Sequence, residues 1–214
     1  MRQVHCLLII FSFAGISPTA AEPPITGISV EAGQGILLDQ VQTHLKQLKE
    51  TDLTLEFWIR PDESSILRSR SLLWLFSNQA GADVAGIGIS LAAGKIQANV
   101  LGAKLTTPDV LTVNQWTHVS LTIATQKLNN IATLWVEGRR HDQALVSHRW
   151  PEKFYYTRLL SDPWELQRNF TGQIGPIRIS TKCLYQKDFQ TRSNWEREPS
   201  TLLLLQPDEI RLTP

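Results

Sequence analysis

From Asp52 to Ile179, apolar and polar residues alternate with a period of two in segment after segment, and this constrains the fold more than any other feature. Successive side chains of a β-strand point to opposite faces, so such segments read as strands with one buried side. Leu53, Leu55, Phe57 and Ile59 fall on one face, opposite Asp52, Thr54, Glu56 and Arg60. Ile87, Ile89 and Leu91 repeat the pattern, and after a turn at Ala93-Gly94-Lys95 so do Ile96, Ala98 and Val100. Val119, Leu121 and Ile123 follow. A turn at Asn129-Asn130 then leads to Ala132, Leu134 and Val136. Two hairpins are predicted. Ile177 and Ile179 mark a later strand, and the continuous apolar runs Leu72–Phe76 and Leu202–Leu205 read as strands covered on both faces. About eleven strands are expected by this rule. Helical spacing is confined to Val41, Leu45 and Leu48, a short capping helix over Val41–Lys49. The pattern specifies an all-β sandwich of two antiparallel sheets with at most one or two short helices.

The N-terminus has the form of an export signal. Arg2 precedes the apolar stretch Cys6–Gly15, and Ala20-Ala21 stand just before Glu22. That run is too short to span a bilayer, so residues 1–21 are expected to be a cleaved leader and residues 22–214 the exported domain. No later stretch is long enough to cross a membrane. Loss of the leader removes Arg2 and no acid, which leaves 20 basic against 20 acidic side chains. A neutral chain offers no electrostatic basis for binding nucleic acid. Cys183 is then the single cysteine, so no disulfide framework is available and the thiol reads as a small buried hydrophobe.

Three stretches resemble the laminin G-like members of the concanavalin A-like superfamily. Leu53-Thr-Leu-Glu-Phe-Trp-Ile-Arg-Pro61 is similar to their T-x-E-x-W-x-R/K-P strand. Asn114-Gln-Trp-Thr-His-Val-Ser-Leu-Thr122, followed by Ala132-Thr-Leu-Trp-Val-Glu-Gly138, resembles their W-x-H-V strand and the Y-V-D-G strand after it. Phe170-Thr-Gly-Gln-Ile-Gly-Pro-Ile-Arg-Ile-Ser180 is similar to F-x-G-x-I-d-e-v-R-I-s, with Gly175-Pro176 in place of the acidic pair. The resemblance implies a jelly roll, a fold that carries lectins and some glycoside hydrolases. It admits a calcium ion at the rim, for which Asp83, Asp109 and Asp142 are turn acids, and it requires no cofactor.

Glu50, Asp52 and Glu56 share strand parity and invite comparison with retaining glucanases, which need two carboxylates roughly 5 Å apart. Their spacing departs from the glucanase pattern. His118 has no nucleophile motif beside it and reads as a residue that bonds a neighbouring strand. His44, His141 and His148 form no zinc-spaced pair with it. The glycine-rich stretch Gly81–Gly88 leads into a strand, unlike a phosphate cradle. Trp58, Trp116 and Trp135 lie inside the motifs and are assigned to packing. Trp150, Tyr155, Tyr156 and Trp164 lie outside them, in an aromatic-rich connection, and are the candidates for stacking on sugar. Asn169-Phe170-Thr171 has the form of a glycosylation sequon.

The reading that results is a non-catalytic, exported recognition module, secreted or periplasmic, whose partner is a glycan or an extracytoplasmic protein. A divergent glycoside hydrolase or polysaccharide lyase is the first alternative. A structural component of an envelope complex is the second.

Overall fold

A computed structural model describes residues 25–38, 52–76, 86–126, 129–146, 156–162 and 168–213. The expected leader, the expected helix over 41–49 and most of the aromatic-rich connection lie outside those residues. Among the described residues there are thirteen strands: β1 Ile28–Val30, β2 Ile36–Leu37, β3 Leu53–Pro61, β4 Arg70–Phe76, β5 Gly86–Ala92, β6 Lys95–Val100, β7 Ala103–Thr106, β8 Thr117–Thr125, β9 Asn130–Val136, β10 Arg139–Val146, β11 Tyr156–Leu159, β12 Gly172–Ser180 and β13 Thr201–Leu205. One short helix, α1, covers Glu63–Leu67, and a 3-10 turn covers Pro207–Glu209. The strands form a sandwich of two antiparallel sheets, a jelly roll, as the alternation predicts.

The first sheet runs β1-β12-β3-β8-β9-β10, and the second β2-β11-β4-β5-β6-β7. In the first, β1 and β13 share one edge of β12: β1 pairs with Gly172–Ile174 and β13 with Ile177–Ser180. Between those two stretches the register against β3 slips, at Gly175-Pro176. Proline has no N–H for a ladder, so it is tolerated at such a slip. The departure from the family motif therefore falls where the sheet changes edge partner.

The inward residues of both sheets make one core. Leu53, Leu55, Phe57 and Ile59 of β3 and Val119, Leu121 and Ile123 of β8 meet Leu73, Leu75, Ile87, Ile89, Ile96 and Val100 of the second sheet. Each fully buried aliphatic side chain stabilises the fold by about 1.5–3 kcal/mol relative to exposure. Hairpins β5–β6, β6–β7 and β9–β10 turn through Ala93-Gly94, Leu101-Gly102 and Glu137-Gly138, with both residues of each pair at positive φ. Type I′ turns need that conformation, and their twist matches that of the flanking strands.

Three observations differ from the sequence reading. The polar side of β3 is buried too, because residues 181–200 lie across the outer face of the first sheet: Thr54 and Glu56 are as inaccessible as Leu53. Trp74 interrupts the apolar run of β4 as a half-buried residue, so that strand is not covered on both faces. Finally, α1 forms at the end of β3, where Asp62 accepts the Ser65 amide and caps it.

A candidate binding face on the second sheet

Of the carboxylates suggested by the sequence, Asp52 and Glu56 are described, and both lie on the first sheet. Asp52 accepts the Thr125 amide at 2.7 Å, tying β3 to the end of β8. Glu56, four residues on, is fully enclosed. Its Oε1 accepts Arg178 Nε at 2.6 Å, and its Oε2 accepts the Tyr185 hydroxyl at 2.8 Å and lies 3.1 Å from His118 Nε2. Burial alone would raise the Glu56 pKa, but His118 and Arg178 outweigh it and hold the group below its ordinary value. Burial and the adjacent Glu56 carboxylate push the Tyr185 hydroxyl well above the usual tyrosine range. Glu50 lies outside the described residues.

Around this charged knot stands an aromatic roof. Trp58, Phe189 and Trp195 ring the His118 imidazole at centroid distances of 5.2, 5.8 and 5.7 Å. Tyr185 stacks on Phe189, and Arg178 lies over Trp195. Thr54 binds the 181–200 segment from below, donating to Lys182 O and accepting the Leu184 amide. A cavity of about 750 Å³ opens beside Arg178, Tyr185, Trp195 and Glu198. Arg178 in its wall pairs with both Glu56 and Glu198, so this side of the molecule reads as a lock. Cys183 belongs to the same segment and is buried, and burial pushes its thiol up. Trp135 donates to Thr122 Oγ1 inside the first sheet, and Trp116 packs with Trp58 and Trp195.

The other sheet is different. Strand register sets Arg158, Trp74, Gly88, Asn99 and Lys104 in one row across β11, β4, β5, β6 and β7. Their neighbours in sequence, Leu73, Leu75, Ile87, Ile89, Ala98 and Leu105, face the core, so the row points outward. Gly88 stands between the indole and the Asn99 amide, and a position without a side chain leaves a trough between them. Ser90, Gln97 and Thr106 form a second row alongside. All of these except Arg158, which stands beside it next to Trp74, line a groove of about 490 Å³. Asn99 Oδ1 makes no hydrogen bond with any described residue, an uncompensated acceptor in the wall of the site.

None of these groove residues was a candidate from sequence. Trp74 was concealed in an apolar run. The usable signals were the alternation that sets Gln97 and Asn99 opposite the core positions of β6, and the small outward residues Gly88 and Ser90 of β5. Among the expected sugar-stacking residues, Trp150, Tyr155 and Trp164 lie outside the described residues, and Tyr156 opens β11 in register with Phe76. The sequon residue Asn169 is buried, with Oδ1 accepting the Asp162 amide, and presents no accessible amide for glycosylation. For calcium, Asp142 accepts the Thr106 and Gln143 amides, Asp109 is exposed, and Asp83 is not described. No group of three or more His, Cys, Asp or Glu among the described residues could hold a metal ion.

Residues 37–189 match the family model described as the concanavalin A-like lectin/glucanases superfamily. The chain belongs to that superfamily. No curated protein sequence matches it. Among solved members of similar fold, the CBM40 of the Ruminococcus gnavus IT-sialidase, bound to α2,3 sialyllactose, has a TM-score of 0.58 at 14% identity, over 74% of this chain and 91% of that one. The leech intramolecular trans-sialidase gives 0.60 at 16% identity, over 74% of this chain and 26% of the enzyme. A Bacteroides ovatus protein provisionally described as carbohydrate binding gives 0.58 at 14% identity, over 85% of this chain. The present chain spans about half of that protein (51%). Likeness at such identities establishes the lectin/glucanase fold and leaves activity to the site itself.

Proposed function

We propose that this chain is an exported, non-catalytic recognition module that binds carbohydrate in the trough of the second sheet. The observation that carries the reading is Trp74: a half-buried indole on an otherwise polar outer face, with the amides of Asn99 and Gln97 and the hydroxyls of Ser90 and Thr106 grouped beside it. A sugar ring has an apolar face that packs on an indole and a rim of hydroxyls that such groups can bond. The groove lies on paired strands, so its groups are held in place before a ligand arrives. Modules of the same fold include one solved with a bound sialylated sugar, which supports the reading without fixing the ligand.

The groove walls carry no carboxylate among the described residues, so they do not supply the acid pair of glycoside hydrolysis. Glu56 lies on the opposite sheet with both oxygens engaged. Export fits the reading, since free glycans are met mostly outside the cytoplasm. Glycan-array screening followed by calorimetry with the best hit tests it. The Trp74→Ala variant is expected to bind about five- to tenfold more weakly, the loss of one stacked ring being worth on the order of 1–1.5 kcal/mol. An array that stays empty with folded protein, or an unchanged affinity in the variant, removes the proposal.

A further inference from the structure

We infer that the groove selects saccharides bearing a carboxylate, an inference that rests on the carbohydrate reading above. The described outward residues of β4 to β7 and β11 comprise Ser71, Trp74, Gly86, Gly88, Ser90, Ala92, Lys95, Gln97, Asn99, Lys104, Thr106 and Arg158. Three are cations and none is an acid. The whole sequence carries 21 basic and 20 acidic residues, so this asymmetry belongs to the face. Neither Arg158 nor Lys104 forms an ion pair with a described residue. Two described carboxylates border these strands and both are engaged: Asp142 accepts two backbone amides beside β7, and buried Asp162 accepts the Ser71 hydroxyl.

The positions of the cations give the selection its geometry. Arg158 is the register partner of Trp74, one strand spacing away, about 5 Å at the backbone. A sugar stacked on the indole therefore brings a carboxylate on its ring within reach of the guanidinium, whose planar fork matches two carboxylate oxygens. Lys104 stands three strand spacings from Trp74, about 15 Å, within reach of an acid on a second or third sugar. Asn99 lies between them in the groove wall. The arrangement takes a short acidic oligosaccharide laid across the strands.

Two sources share this chemistry: uronic acids and sialylated sugars. Calorimetry with trigalacturonic acid, 3′-sialyllactose, lactose and carboxyl-reduced trigalacturonate separates them. At least one acidic probe is expected to bind about tenfold more tightly than its neutral counterpart. That preference should shrink as salt rises from low to physiological strength. In Arg158→Gln it should disappear for 3′-sialyllactose, which then binds like lactose, and shrink for trigalacturonate, for which Lys104→Gln should narrow it as well. The melting temperature of each variant reports whether it is folded. Equal binding of acidic and neutral probes to the wild type overturns the selection while leaving carbohydrate recognition standing. Failure of these probes and of every array glycan overturns both.

Discussion

Glu56 is an acid in the middle of a sheet with no water to solvate it, and three side chains from two neighbouring strands and the 181–200 segment supply what water would have given. Removing one member of a buried charged set costs more than the set itself contributes, because the partner is left uncompensated. Glu56→Gln strands the Arg178 guanidinium, and urea unfolding is expected to report a loss of about 3–5 kcal/mol. The same site fixes a pH dependence. A carboxyl group held below its ordinary value of 4.5 stabilises the fold fully above that value, and the contribution fades as pH falls below it. Asp62, lowered by its bonds to Thr171, Ser65 and Ser64 despite partial burial, acts in the same direction with a smaller, solvent-screened effect. Calorimetric scans should therefore show a steady melting temperature down to about pH 5, then a decline. In the glutamine variant most of that decline should be missing. A variant with the wild-type acid slope would show that the Glu56 knot is not its source.

At the scale of elements, the segment 181–200 has no secondary structure of its own and takes its shape from what it covers. Its most confined contact is with the β9–β10 turn. Phe189 N donates to Gly138 O, and Arg140 N donates to Asp188 Oδ1. Gly138 has φ of 70°, and a Cβ added there would lie 2.0 Å from Phe189 O. Gly138→Ala is thus strained twice, by a left-handed backbone worth about 1–2 kcal/mol and by displacement of the segment. Faster hydrogen exchange at Phe189 and Arg140 and earlier proteolysis within 181–200 are the expected signs. Protection equal to wild type would mean that the turn does not hold the segment. This element also marks where sequence reasoning stopped. Strands β3, β5, β6, β8, β9 and β12 were legible because each is long enough to display a period of two. Strands β1 and β2, of three and two residues, cannot display any period. Nor could alternation reveal that the polar face of β3 is roofed, because the roof is a tertiary contact made by residues over 120 positions away, as in Tyr185 with Glu56. The groove stayed hidden for the opposite reason: Trp74 has the hydrophobicity of its core neighbours, and only strand register brings it beside Gly88, Asn99 and Arg158.

For the whole molecule, the two sheets share one core and use their outer faces differently, the first closed by the 181–200 segment and the second carrying a groove among the described residues. They are tied at one side by a bond between sheets: Thr106 N on β7 donates to Asp142 Oδ2 on β10 at 2.9 Å. Strand β7 carries Lys104 and Thr106 into the groove, so this tie also sets the position of the groove rim. Asp142→Ala removes an acceptor from a backbone N–H on an edge strand, at a cost of about 1 kcal/mol, comparable with the backbone strain in Gly138→Ala. The consequences should nevertheless separate. Loosening β7 is expected to weaken glycan binding several-fold, mostly through faster dissociation, since a mobile rim must be ordered when ligand binds. Asp142→Asn keeps a carbonyl acceptor and should retain most of the affinity. Gly138→Ala disturbs only the roofed face and should bind as wild type does. Surface-plasmon kinetics on the three variants, with the tightest array glycan, make the comparison. If Gly138→Ala weakened binding as much as Asp142→Ala, the loss would track general stability, and the open face would not be a separately tuned surface.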